Sequence, residues 1–246
     1  MTVTALFSRC RPLLPGTTAR DRLWGCIGAV CAIAATGLIC RWFAGPGIHV
    51  PLLVAPMGAS AVLLFAVPAS PLAQPWPVIG GNTISALVGI AVARLIPDPM
   101  IAAGVAAGLA IGVMSALRCL HPPGGAAAIT AVLGGPAVAG AGWSFAVFPI
   151  GVNALLMALG AVVFHRFSGH SYPHRPVVVP IPTAPVPDPL PHPHFMPQDV
   201  EKALAGFGES LDISRDDIDA LLLQVEANAR ARFDAELAET SAEIRI

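Results

Sequence analysis

Apolar residues in this chain come in long unbroken runs, not in the alternating or one-faced patterns of soluble elements. The first run goes from Leu23 to Cys40. At about 1.5 Å per residue it reaches about 27 Å, enough to cross a bilayer core. Arg residues precede it, as in a secretory signal. The run is longer than a signal core and further runs follow, so it predicts an uncleaved first span. From Trp42 to Ala93 there is no formal charge. One helix needs about 20 residues to cross, so this stretch holds two segments, about 51–67 and 78–96. Between them four prolines fall within residues 68–77, which no helix can continue through. After Arg94, Pro97, Asp98 and Pro99 comes another span, Met100 to Leu117, rich in Ala and Gly. Such small residues let helix backbones approach closely in lipid. Residues 119–164 split at Gly134-Gly135-Pro136 into a short segment, 122–134, and a full one, about 144–165.

Two of these six segments are short and open on Pro and Gly. Pro56 and Gly58 interrupt 51–67, and Pro122, Pro123, Gly124 and Gly125 open 122–134. Asn82 with Gly89 recurs as Asn153 with Gly160 at the same spacing. The pattern predicts two three-segment repeats, about 23–96 and 101–166, each a span, a broken segment and a span. Re-entrant broken segments would give four spans and parallel repeats. Crossing ones would give six spans and inverted repeats. Either way the fold class is an all-α polytopic membrane bundle with both termini on one side. Arg9, Arg11, Arg20 and Arg22 before the first span, and Arg166 and Arg175 after the last, predict a cytoplasmic side.

The remainder of the chain is different. Residues 168–197 are a Pro-rich linker carrying His170, His174, His192 and His194, read as solvated and not as a metal site. Residues 198–246 predict an acidic helical tail. Ser214 stands three residues before Asp217 as a cap, and Ile218, Leu221, Leu222, Val225, Ala229, Phe233 and Leu237 form an apolar face. That face needs a partner, which makes the 214–238 helix a candidate surface for a second copy or another protein. The domain boundaries expected are therefore 1–22, 23–167, 168–197 and 198–246.

Composition sharpens this division. Only 12% of residues are charged and the mean hydropathy is +0.70, where soluble domains carry about 25% charged residues. That excludes an ordinary soluble enzyme, a nucleic-acid-binding domain and a disordered chain. Residues 1–197 hold nine Arg against three Asp, and residues 198–246 hold twelve acids against five bases. The five cysteines have no CxxC spacing and read as small apolar residues.

Between residues 23 and 165 the one carboxylate is Asp98, and there is no Lys. Cation pumps and proton-coupled carriers place Asp or Glu inside spans, so an anion is the natural solute. Arg118 and His121 lead into Pro122, Pro123, Gly124 and Gly125, where a helix N-terminus would offer free N–H groups and partial positive charge. Pro56, Gly58 and Ser60 would form the matching half-site, with Asn82 and Asn153 as further polar residues in the spans. Asn82 and Asn153 read more readily as interhelical hydrogen-bond partners than as ligands, Arg41 as a snorkelling side chain, and Trp24, Trp42, Trp76 and Trp143 as interfacial anchors, while His121 suits helix capping or donation to a carbonyl as well as solute contact. No HExxH, GxSxG or intramembrane Asp pair is present, so neither an enzyme nor a cofactor is expected.

The sequence around His121, Leu120-His-Pro-Pro-Gly-Gly-Ala126, resembles the signature of the HPP family of integral membrane proteins. Residues 51–65, 70–76 and Gly80-Gly-Asn82 are also similar to that family, and the resemblance covers about 20–175. It implies about four spans, and plant-plastid and cyanobacterial members imply nitrite as a solute. Bacterial relatives continue through a Pro-rich linker into a paired CBS module; residues 211–218 resemble the connecting segment. The expectation is a bacterial inner-membrane form without the CBS pair, moving a small anion. The competing expectation is a membrane-embedded scaffold or regulatory subunit that acts through its tail.

Overall fold

The computed structural model describes residues 19–44, 50–175, 200–203 and 213–243. Arg9, Arg11, His49, the linker histidines His192 and His194, and the 204–212 part of the tail lie outside the described residues. The chain divides at His174 into two compact units.

The first unit is a helical bundle. Its long helices are α1 (Ala19–Phe43), α3 (Pro77–Leu95), α4 (Pro99–Ala116) and α7 (Ala146–Ser168). Its short helices are α2 (Pro56–Ala66), α5 (Pro122–Leu133) and α6 (Gly135–Ala141). Each start has a local cause. Pro56, Pro77, Pro99 and Pro122 stand in first turns, where a missing N–H costs nothing. The Asp98 carboxylate caps α4 by accepting from the Met100 and Ile101 amides, each at 2.9 Å. Gly169, at φ +87°, ends α7 in the left-handed conformation that glycine adopts without strain.

Among the described residues, four helices are long and apolar enough to cross a membrane. A fifth results if α5 and α6, bent by 97° at their junction, count as one span. Taken alone, α2 and α5 reach only about 16 and 18 Å, short of a hydrocarbon core of about 30 Å. Among the described residues, α2 and α5 are therefore not full-length spans by themselves. At the expected break, Gly134-Gly135-Pro136, the chain bends into α6.

Side-chain contacts fix the direction of each helix. Near the start of α1, Trp24 meets Phe164 of α7, with ring centroids 5.9 Å apart. At its other end Cys40 receives a hydrogen bond from Asn153 of α7. Helices α1 and α7 are thus antiparallel. Val54, just before α2, bonds Asn153, and Leu64 near the end of α2 bonds His165, so α2 runs parallel to α7. Gly124 of α5 faces Ser85 of α3, and Ala128 faces Gly89, so α5 runs parallel to α3. Trp76 at the start of α3 donates to the Leu117 carbonyl after α4 at 3.2 Å, so α3 and α4 are antiparallel. The short helices α2 and α5 thus each pack beside the last long helix of the opposite half of the chain.

Packing is by small residues. The buried face of α1 is Gly25, Gly28, Ala32, Thr36 and Cys40, and that of α4 is Ala102, Ala106, Ala110 and Met114. Large apolar side chains point outward instead, Leu23, Val30 and Leu38 on α1 and Ile101, Leu109 and Ile111 on α4. Small inside and large outside is the arrangement lipid favours, where attraction between helices comes from close backbone approach.

The second unit contains α8 (Arg215–Glu243). Ser214 caps it: its hydroxyl oxygen accepts from the Asp217 amide at 3.1 Å, and the hydroxyl donates to the Asp217 carboxylate. Arg215 and Asp219 pair at 3.1 Å one turn apart.

Candidate functional site

In an apolar bundle the informative residues are the buried polar ones. Ser60, Asn82, Ser85, His121 and Asn153 are all fully buried. His121 stands just before α5, where Arg118 at φ +53° turns the chain back from α4. The neighbouring backbone of Gly81 passes so close that a Cβ there would lie 2.6 Å from the Cβ of His121.

Hydrogen-bond polarity fixes the tautomer of His121. Its Nδ1 lies 2.8 Å from the Leu72 carbonyl, an acceptor, so Nδ1 carries the proton. Its Nε2, 2.9 Å from Ser60 Oγ, then accepts the serine proton. Ser60 Oγ in turn accepts from Asn82 Nδ2 at 3.3 Å, and the same amide nitrogen donates to the Val78 carbonyl at 2.8 Å. The chain Asn82 to Ser60 to His121 to Leu72 is complete with His121 neutral. It ties α2, α3, the start of α5 and the loop after α2 together. Asn82 sits where a wide π-type turn, Pro77–Gly81, passes into regular α-helix.

Asn153 has the corresponding place in α7, next to the kinked stretch Ala146–Gly151. Its Oδ1 accepts from the Val54 amide at 3.4 Å, and its Nδ2 donates to the Leu52 carbonyl at 3.1 Å and to Cys40 Sγ at 3.4 Å. It holds the entry to α2, as Asn82, through Ser60, holds the entry to α5. Thr83 and Gly151 bring the two long helices together, with Thr83 Oγ1 3.1 Å from where a Gly151 Cβ would stand.

Two polar atoms in this region have no partner, Asn82 Oδ1 and Ser85 Oγ. A buried group left unsatisfied costs about 1–3 kcal/mol. Ser85 Oγ lies 2.7 Å from where a Cβ on Gly124 would be, so Gly124 is the residue that lets α5 lie against α3 there.

The structure brings Ser60, Asn82 and His121 together and places Gly124 beside them. It does not bring in Arg118, which is exposed. Gly58 and Gly125 face open space, where a Cβ would meet nothing within 4 Å. Pro56 and Pro123 are buried and Pro122 is exposed. Nor do the short helices offer the free N–H groups expected of them. Pro122 and Pro123 have none, and the Gly124 amide donates to the His121 carbonyl at 2.8 Å. At α2 the Met57 and Gly58 amides donate to Val54 and Ala55, both at 3.0 Å. Tight turns have used the donors that an anion would need. Sequence reasoning missed Ser85, whose one signal is its place three residues after Asn82 on one face of α3. It also missed the clamp at the end of α7. His165 Nε2 donates to the Leu64 carbonyl at 2.8 Å, Tyr172 to the Ala73 carbonyl at 2.9 Å, and the His174 amide to Gln74 Oε1 at 2.9 Å.

Comparison with known proteins adds the family. The model of the HPP transmembrane region matches residues 14–173, well over half of the chain. The chain belongs to the HPP transmembrane family. Its His121-Pro-Pro segment lies at the centre of the network just described. Two transmembrane proteins of Dictyostelium discoideum are similar to it. One is 39% identical over 127 residues, covering 50% of this chain and 44% of the relative. The other is 34% identical over 120 residues, covering 47% and 38%. The match thus spans less than half the length of either relative. No solved structure matches.

Proposed function

We propose that this HPP-family chain moves a small inorganic oxyanion, nitrite being the leading candidate, across the membrane along the contact between α2 and α5. The role is transport, with no enzymatic step and no cofactor. The observation that carries the reading is the Ser60–His121 bond. It joins two short, proline-started helices inside a bundle whose described helices carry no buried carboxylate. The contact between α2 and α5 is slight beside that of α5 with α3, so the two short helices can part without separating α5 from its long neighbours. Their internal polar groups are those that a passing solute could use.

The pseudo-symmetric use of Asn82 and Asn153 supports an inverted repeat of α1–α3 and α4–α7, with α2 and α5 passing through the bundle instead of turning back. Arg20, Arg22, Arg118 and Arg166 gather at the end holding the start of α1 and the end of α7. Arg41 and Arg94 are at the other end. That imbalance favours the first end as cytoplasmic. In this reading Arg118 draws anions to the mouth of the path and does not bind them inside it.

Uptake of nitrite into proteoliposomes, set against protein-free vesicles and against nitrate, chloride and formate, tests the proposal. Saturable nitrite uptake supports it. No uptake of any of these solutes by folded protein removes it. A second reading, a membrane scaffold, draws on the exposed Leu221, Leu223 and Val225 of α8. It predicts that deleting 198–246 abolishes function, whereas a self-sufficient transporter keeps its flux.

A further inference from the structure

We propose that the groove between α1 and α7 binds an acyl chain of an anionic phospholipid, whose headgroup is held by Arg20 and Arg166. The groove has a volume of about 420 Å³, within the range of about 300–1,000 Å³ typical of ligand sites. One wall runs from Gly28 to Ile39 on α1 and the other from Leu156 to Phe167 on α7. No residue of either wall carries a charge. Small residues make the floor: a Cβ on Gly160 would stand 3.4 Å from the Ala32 Cβ, so the two backbones approach closely there. Cys31, Ala35, Leu159 and Val163 are exposed along the rims. The inference needs only the bundle's place in a membrane and stands apart from the transport reading.

Length names the occupant. Each wall is about 17 Å long, whereas the hydrocarbon core is about 30 Å thick. Beyond the far end of the groove Asn153 of α7 bonds Cys40 of α1. A helix from a second copy crosses the whole core and would have much of its length outside so short a groove. An acyl chain enters from one face and ends within the core. Charge names the headgroup. Arg20 stands three turns before Cys31 on the same side of α1, and Arg166 two turns after Leu159 on the same side of α7. Because α1 and α7 are antiparallel, both arginines are at one end of the groove, and both are exposed. Arg22 adds a third cation at that end, and Asp21, the one carboxylate in the two helices, is already engaged. Arg41, two residues beyond Ile39, falls on the opposite side of α1. Guanidinium groups bind phosphate oxygens by charge-assisted hydrogen bonds, so the end with Arg20 and Arg166 is where an anionic headgroup rests.

Native mass spectrometry of the full, delipidated chain in detergent micelles tests this. The probe is dioleoyl phosphatidylglycerol, set against phosphatidylcholine with the same chains. One phosphatidylglycerol per chain is expected, held about 25-fold more tightly than phosphatidylcholine, at about fivefold for each arginine. The pair Arg20→Gln and Arg166→Gln is expected to abolish that preference, and Arg41→Gln to keep it. Ala35→Phe fills the groove and is expected to weaken both lipids by about tenfold or more. Ala34→Phe, equally exposed on the same turn but outside the groove, is expected to leave binding unchanged. Equal affinity of the parent for the two lipids, a preference that survives loss of both arginines, or binding untouched by Ala35→Phe each overturn the inference. A lipid-free dimer that Ala35→Phe dissociates also overturns it and gives the groove to a second copy. The arginine pair, exposed near the helix ends, keeps the test decisive if Ala35→Phe does not fold.

Discussion

A single methyl group at Gly89 tests the packing that positions the site. The Gly89 backbone lies against α5, and a Cβ there would stand 2.4 Å from the Ala128 carbonyl oxygen and 2.9 Å from the Ala131 Cβ. Neither can rotate away, because one is helix backbone and the other is fixed to it. Ordinary contact requires α3 and α5 to part by about 1 Å, and overpacking of this kind costs about 1–3 kcal/mol. Replacing glycine in a helix also gains about 1 kcal/mol of propensity. Gly112→Ala on α4 isolates that gain, since a Cβ at 112 meets nothing within 4 Å. The two variants share the propensity gain and differ by the contact alone. Gly89→Ala is therefore expected to be about 1–3 kcal/mol less stable than Gly112→Ala. Reversible SDS-induced unfolding in mixed micelles, followed by far-UV circular dichroism, measures the gap. Equal stability of the two variants would refute the close α3–α5 approach and with it the placement of Ser85 against Gly124.

Three further variants have expected outcomes drawn from other contacts. Asn153→Ala strands the Val54 amide and the Leu52 carbonyl, and should lower stability by about 1–3 kcal/mol in the same unfolding assay. Arg118→Gly should raise stability by about 1–2 kcal/mol, because glycine adopts φ +53° without strain. The same change should raise the KM for nitrite uptake at low salt and not at high salt, as expected for a charge at the mouth of the path. Ser214→Ala removes the cap of α8 and should speed amide exchange at Asp217 in the intact chain, with a loss of about 1 kcal/mol of local stability.

The spans were legible because length and lack of charge are enough to specify them. The runs 78–96 and 100–117 became Pro77–Leu95 and Pro99–Ala116 to within a residue or two. Proline marked one short helix equally well, 122–134 becoming Pro122–Leu133, whereas 51–67 shortened to Pro56–Ala66 because the helix opens only at Pro56. The site was legible only in part. Ser60, Asn82 and His121 stood out as polar residues in apolar surroundings, and the fold joins them. Arg118 carried the same signal but faces outward, because which way a side chain points at a chain reversal depends on a backbone angle that composition does not reveal. The helix N-termini misled for a related reason. Prolines that announce a helix start also remove its free donors, and the turns before α2 and α5 use the remainder. Ser85 was hidden because one hydroxyl in an apolar helix has many ways to be satisfied, and only the packing leaves it without one.

The most direct test of the central claim, that solute passes where α2 meets α5, is initial nitrite uptake by proteoliposomes of the parent, Ser60→Ala and Ser115→Ala. Ser60 bonds His121 across that contact, whereas Ser115 is exposed on α4 and bonds its own helix at Ile111. The account predicts saturable uptake by the parent and by Ser115→Ala, with Ser60→Ala slower by about tenfold, the equivalent of about 1.4 kcal/mol. Equal uptake by all three, from equal amounts of folded protein, would contradict it.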